Sequence, residues 1–173
     1  MAQDKIPVEI STPHGTVAWK EVSEPAPPKV AAIVRELTSK ELASLNQDAE
    51  SGGASVAKYV PANQRENDLL LDLDLVFEAW LRSSRLEKEA ESEIIRMLGA
   101  AYGQYCIERL GVRWAVIKDE HGTDLALVRE NPTARGFPFS SIQYRIEDKE
   151  TNFLYALYAS LKHLIEESKR GAP

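Results

Sequence analysis

Asp119, His121 and Asp124 put two carboxylates and an imidazole into the short stretch "KDEHGTD". Those residue types move protons near neutral pH and ligate divalent metals, so the group is where a small hydrolase-type site would be sought first. Gly122 marks the same stretch as a turn. An exposed turn lacks the burial and outer hydrogen bonds that shift pKa values and orient metal ligands. Turn chemistry is therefore the competing reading, and it also covers His14, which stands in a second His-Gly-Thr tripeptide.

The acidic run "ENDLLLDLDLVFE" supplies Asp68, Asp72, Asp74 and Glu78, oxygen ligands of the kind hard cations use. On one helix, Asp68 and Asp72 fall to one side of the apolar stripe and Asp74 and Glu78 to the other, so the four cannot converge on one ion; a solvated helix surface is expected. Cys106 is the sole cysteine, which excludes an intramolecular disulfide and the usual thiolate zinc cages. Its helical neighbours Ile95 and Tyr102 make it a core thiol rather than a nucleophile. His163 points away from the apolar face of its helix. With no nucleophile elbow, phosphate-binding loop, dinucleotide fingerprint, zinc-protease or EF-hand pattern, neither metal nor cofactor is expected.

The elements that must position these residues follow from periodicity. "IPVEISTPHGTVAWKEV" alternates apolar and polar residues and predicts a short hairpin; the proline-rich "SEPAPPK" reads as a linker. A helix over about residues 29 to 48 is expected to bend near Thr38, with Ser39 capping its second part, and "SGGASVAKYVPANQ" reads as a loop. A helix over about 65 to 88 aligns Leu69, Leu73, Val76, Phe77 and Trp80. The next is read as amphipathic and water-facing, with Ile94, Leu98, Ala101, Tyr102 and Tyr105 on its stripe and Gly111 ending it. Gly99 and Gly103 sit four apart on its flank, each costing roughly 1 kcal/mol against alanine, and so predict close approach by the hairpin or a neighbouring helix, Gly99 being the more sensitive. "VRWAVIK" and "TDLALVR" form the clearest hairpin. Pairing Lys118 with Thr123 puts Trp114, Val116, Leu125 and Leu127 on one face, and Arg113 and Asp124 on the other. Residues 140 to 146 fit either a helix capped by Ser140 or Ser141 or a third strand, and the helix is favoured. The last helix, about 150 to 168, is expected to bury Phe153, Leu154, Leu157, Leu161, Leu164 and Ile165.

The fold class is thus α+β, helices packed around a small antiparallel hairpin or sheet with an N-terminal helical extension. The expected divisions are an arm at 1–28, a helical region at 29–90, an α-β-β-α domain at 91–168 and a frayed tail at 169–173. With 173 residues, 43% of them hydrophobic, the chain can bury roughly 70% of its unfolded surface without staples. A net charge of −6 and no basic cluster beyond Lys169-Arg170 argue against a nucleic-acid partner. "FLYALYASLKHLI" is too short and too polar to span a membrane. No secretory leader is read in "MAQDKIPVEI", and the protein is expected in the cytoplasm.

"LGAAYGQYCIERLGVRWAVIKDEHGTDLAL", "FPFSSIQYRI" and "FLYALYASL" together resemble a bacterial group of domains of unknown function, the DUF3806 type, over roughly residues 94 to 165. The matching positions include Gly99, Gly103, Gly111, Trp114, Asp119, Gly122, Pro138, Arg145 and Ile146. The resemblance implies a bacterial α+β domain and brings no activity, cofactor or catalytic residue. Two functions are carried forward. The first is a non-catalytic binding or accessory module with a protein partner and a surface around Asp119, His121, Asp124 and Arg145. The second is a small hydrolase using Asp119, His121 and Asp124.

Overall fold

The computed structural model describes residues 8–12, 15–19, 32–84, 88–119, 122–129 and 134–170. Strands β1 (Val8–Thr12) and β2 (Gly15–Trp19) form an antiparallel hairpin, as the alternation predicts. A four-stranded antiparallel sheet runs in the order β3 (Ile33–Arg35), β4 (Arg113–Asp119), β5 (Gly122–Val128), β6 (Arg135–Gly136). Among the described residues five α-helices accompany it: α1 (Ser39–Tyr59), α2 (Leu69–Arg82), α3 (Glu91–Leu110), α4 (Pro138–Asp148) and α5 (Leu154–Arg170). The fold is α+β. The hairpin pairs Lys118 with Thr123, Val116 with Leu125 and Trp114 with Leu127, the register expected from the turn.

Several elements differ from the sequence reading, each for a physical reason. Residues 33–35 are strand rather than helix, because β-branched Ile33 and Val34 pair with Lys118 and Ile117 of β4. The helix then begins at Ser39 with Thr38, not Ser39, as its cap. The Thr38 hydroxyl accepts from the Glu41 amide at 3.3 Å, and the Glu41 carboxylate accepts from the Thr38 amide at 2.7 Å, a reciprocal capping box. α1 continues to Tyr59 through the stretch read as a loop. Gly52 there is buried against α3: a Cβ would collide with the Met97 carbonyl oxygen and lie 2.8 Å from Ala101 Cβ. The glycine that looked like a helix breaker is what lets the two helices touch. α2 is shorter than expected, starting after Asp68, which accepts from the Leu70 amide, and stopping at Ser83.

α3 is central and not water-facing. Ile94, Met97, Leu98, Ala100, Ala101, Tyr102, Tyr105 and Cys106 are buried, with α1, α2, α4 and α5 packed around it. Gly111 ends it with φ +64°, the left-handed cap expected there. The 140–146 segment is helix, but Phe137 precedes it with no side-chain cap, Pro138 occupies the first turn, and Ser140 turns elsewhere. In α5, Leu164 is 47% exposed instead of buried. Trp114 is buried, as its register requires, within a core that draws on α1 through α5. A second apolar cluster, Ala115, Ile117, Ala126 and Val128, covers the sheet's other face, so both faces of the hairpin are buried where one was expected to be polar.

Candidate functional site

Along the helix-facing side of the sheet, residues fall into cross-strand rows. The inner row, Trp114 and Leu127, lies under the helices. There Phe139 of α4 stacks on Trp114, ring centroids 5.6 Å apart and tilted 31°. The two rings rest on the glycine flank of α3: a Cβ on Gly99 would stand 2.7 Å from Phe139 Cδ1, and one on Gly103 would penetrate the Trp114 ring. Aromatic side chains, not a backbone, therefore fill the groove that the glycine spacing predicted.

One row further out come Arg35, Val116 and Leu125, and beyond them Ile33, Lys118 and Thr123. Helices cover these rows only in part: Leu125 packs against the core and Val116 is half-buried, and a cleft of about 490 Å³ remains over them. Val116, Leu125 and Phe139 give it an apolar base with Leu37 and Leu45 beside them. The wall from α1 is a helical stripe, Glu41, Ser44, Leu45 and Asp48, at the i, i+3, i+4, i+7 spacing of one face. Arg96 of α3 and Asp124 of β5 close the rest.

The charges in the cleft are mostly matched. Arg35 grips Glu41 through two parallel hydrogen bonds of 2.9 and 2.8 Å. The Arg35 hydrogen bond first, then those from the Thr38 amide and hydroxyl, hold the Glu41 carboxyl down at about 2. Arg96 lies 3.5 Å from Asp48. Asp124 is different: its carboxylate accepts from the Leu125 amide at 2.7 Å and from the Ser140 hydroxyl, both neutral donors. By register Asp124 shares the face of Ile117, but β6 pairs with β5 only at Leu127 and Val128. Asp124 therefore stands at an open edge of the sheet, where its carboxylate meets Ser140 of α4 and the residue borders the cleft.

Of the residues singled out from the sequence, Asp119 and Asp124 lie on the hairpin and His121 lies outside the described residues. Arg145 is elsewhere, near the C-terminal end of α4. Its Nε is 2.8 Å from Glu150 Oε2 without the alignment of a hydrogen bond, and its guanidinium carbon is 5.8 Å from the centre of the Phe153 ring. Arg145 thus ties α4 to the start of α5 and does not join the hairpin residues. His14 is also outside the described residues, and His163 is exposed beside Glu167.

The acidic run is not the solvated surface expected. Asp72 and Asp74 are 8% and 2% exposed. Asp68 caps its own helix and accepts from the Tyr105 hydroxyl, Asp72 accepts from the Glu66 amide, and Asp74 accepts from the amides of Phe153 and Leu154 at 3.0 and 3.1 Å. Helix starts leave amide donors without intrahelical acceptors, so these acids turn inward to meet them. Among the described residues no three His, Cys, Asp or Glu side chains form a metal-binding group. Cys106 is fully buried, and burial first of all pushes its thiol up to about 12, which removes it as a nucleophile at neutral pH.

A second cleft, of about 470 Å³, runs along α1 and α3 between Ala49, Leu69 and Ala101. On its α3 side the polar side chains engage one another: Gln104 donates to Glu108, and Arg109 lies 3.6 Å over the Tyr105 ring. Sequence reasoning missed the walls of the first cleft, Arg35, Glu41, Asp48 and Arg96. The Thr38-x-x-Glu41 capping signature and the spacing of 41, 44, 45 and 48 were the signals available for the α1 wall.

Residues 74–158 match the family model described as Domain of unknown function (DUF3806). The match begins within α2, earlier than the resemblance read from the sequence, and ends within α5. No curated protein matches the chain. A protein of Bacteroides thetaiotaomicron VPI-5482, known from a crystal structure at 1.50 Å resolution, is similar in fold, with a TM-score of 0.57 and 14% identity over 86% of this chain and 52% of that one. This chain spans about half the length of that protein. No helix of the described residues is long and apolar enough to cross a membrane.

Proposed function

We propose that the protein is a non-catalytic binding or accessory module of the bacterial cytoplasm, and that the cleft at the outer rows of the sheet receives a segment of a protein partner. One observation carries this reading: the helices leave Val116 and Leu125 half-buried, so an apolar base between charged walls stays open to a further side chain. Small-molecule sites enclose most of their ligand. This cleft instead opens past rim residues such as Arg96, 57% exposed in its side chain, which suits a piece of a larger molecule. The acidic balance of the chain disfavours nucleic acid. The hydrolase reading asks Asp124 to act with Asp119 and His121 at the hairpin tip, whereas the Ser140 hydroxyl holds its carboxylate against α4.

A photo-crosslinking amino acid placed at Thr123 on the rim, with Gln143 on the exposed side of α4 as control, tests the proposal in the native host. A discrete adduct from position 123, absent from position 143 and lost on Leu125→Arg, is expected. Adducts from both positions alike, or from neither, would overturn it.

A further inference from the structure

We infer that the segment taken by this cleft is a peptide in which an apolar side chain stands next to a lysine or arginine. The inference rests on the binding reading above and deepens it. Its basis is the pairing of charges in the lining. Arg35 is held by Glu41 in a two-bond clamp, and Arg96 faces Asp48. Among the described residues, the third acid, Asp124, has only a hydroxyl and an amide as partners. Neither donor is a cation and a carboxylate has further acceptor positions, so the lining sets two cations, Arg35 and Arg96, against three acids beside the apolar base of Val116, Leu125 and Phe139. Lys118 stands one row further out, exposed and outside the lining.

The whole chain is also acidic, with a net charge of −6, which favours approach of a basic segment over an acidic one. Ligand and cleft are complementary in both respects: the aliphatic or aromatic group covers the exposed part of the sheet, and the cation meets Asp124. A lysine suits the arrangement well, because its stem covers apolar surface while its ammonium stays at the wet edge.

Three dye-labelled, end-blocked peptides of alternating leucine with lysine, glutamine or glutamate test the inference by fluorescence anisotropy on the full chain. The lysine peptide is expected to bind at least tenfold tighter than the glutamine peptide. Asp124→Asn, which retains an acceptor for Ser140, should remove most of that preference. Leu125→Arg and Thr123→Trp, the latter at an exposed rim position, should each abolish binding, with thermal melts showing that the chain is folded. If the glutamate or glutamine peptide binds as tightly as the lysine peptide and Thr123→Trp abolishes both, the basic-ligand inference fails while the cleft stands as a binding site. If no peptide binds, or if Thr123→Trp leaves binding unchanged, the inference and the binding reading fall together.

Discussion

At positions 99 and 103 the fold requires the absence of a side chain, because the Phe139 and Trp114 rings lie where Cβ atoms would be. Alanine is the better helix former, so a pure propensity effect would stabilise either variant by up to about 1 kcal/mol. The rings are buried or half-buried and stacked on one another, and overpacking against them should instead destabilise by roughly 1 to 3 kcal/mol. Gly103→Ala is expected to be the worse of the two, since its methyl group would enter the indole itself; denaturant midpoints of both variants decide the sign. A second prediction concerns base. Burial first, then in part the neighbouring charges, raises Tyr105 to about 12 and Tyr102 well above its ordinary value, while Cys106 stands at about 12. The unfolded chain loses these protons at lower pH than the fold does, so it binds fewer protons there and stability falls as pH rises from about 9 toward 12. Melting temperatures should drop across that window, and Cys106→Ser should lessen the drop at its lower end. The two outcomes for the acids show what single residues reveal. The solvated surface expected for Asp68 passes over a local signal, since an aspartate just before a leucine run is a cap candidate. Asp74, in contrast, meets Phe153 and Leu154 only because α5 docks there, and no spacing within α2 announces an acceptor for amides so far along the chain.

Elements were readable where their signal is local. The β4–β5 hairpin, with period-two alternation around a glycine turn, came out in register. The left-handed end of α3 at Gly111 came out as well. β3 did not, because a three-residue strand is specified by its partner: Ile33 and Val34 are strand through Lys118 and Ile117. α1 was cut short by its own Gly52-Gly53, since a pair of adjacent glycines beside serine looks like a break until the facing helix is known. The two glycines now separate cleanly. Gly53 has open space around its missing Cβ, and Gly52 faces the Met97 carbonyl and Ala101. Gly53→Ala is expected to be neutral or stabilising by up to about 1 kcal/mol. Gly52→Ala should destabilise by about 1 to 3 kcal/mol as α1 is pushed from α3. Thermal melts giving the same sign for both would contradict this account of the helix contact.

For the molecule as a whole, one core joins residues from α1 to α5, with the hairpin inserted at its edge and its outer rows only partly covered. The cleft that results draws on β3, α1, α3, the hairpin and α4, which is why composition and spacing pointed to the hairpin tip and not to it. Asp124 belongs to both readings, first as a turn acid and now as a wall of the cleft held by Ser140. Arg145, grouped with the tip from the sequence, belongs to the α4–α5 junction. The most direct test of the central claim, that the outer rows of the sheet are a binding surface, is amide chemical-shift mapping of the full chain titrated with the leucine-lysine peptide. Shifts concentrated at Val116, Thr123, Asp124, Leu125 and Phe139, with Ala49, Gln104 and Glu108 of the second cleft unmoved, are predicted. Shifts centred on that second cleft, or none at all, would contradict it.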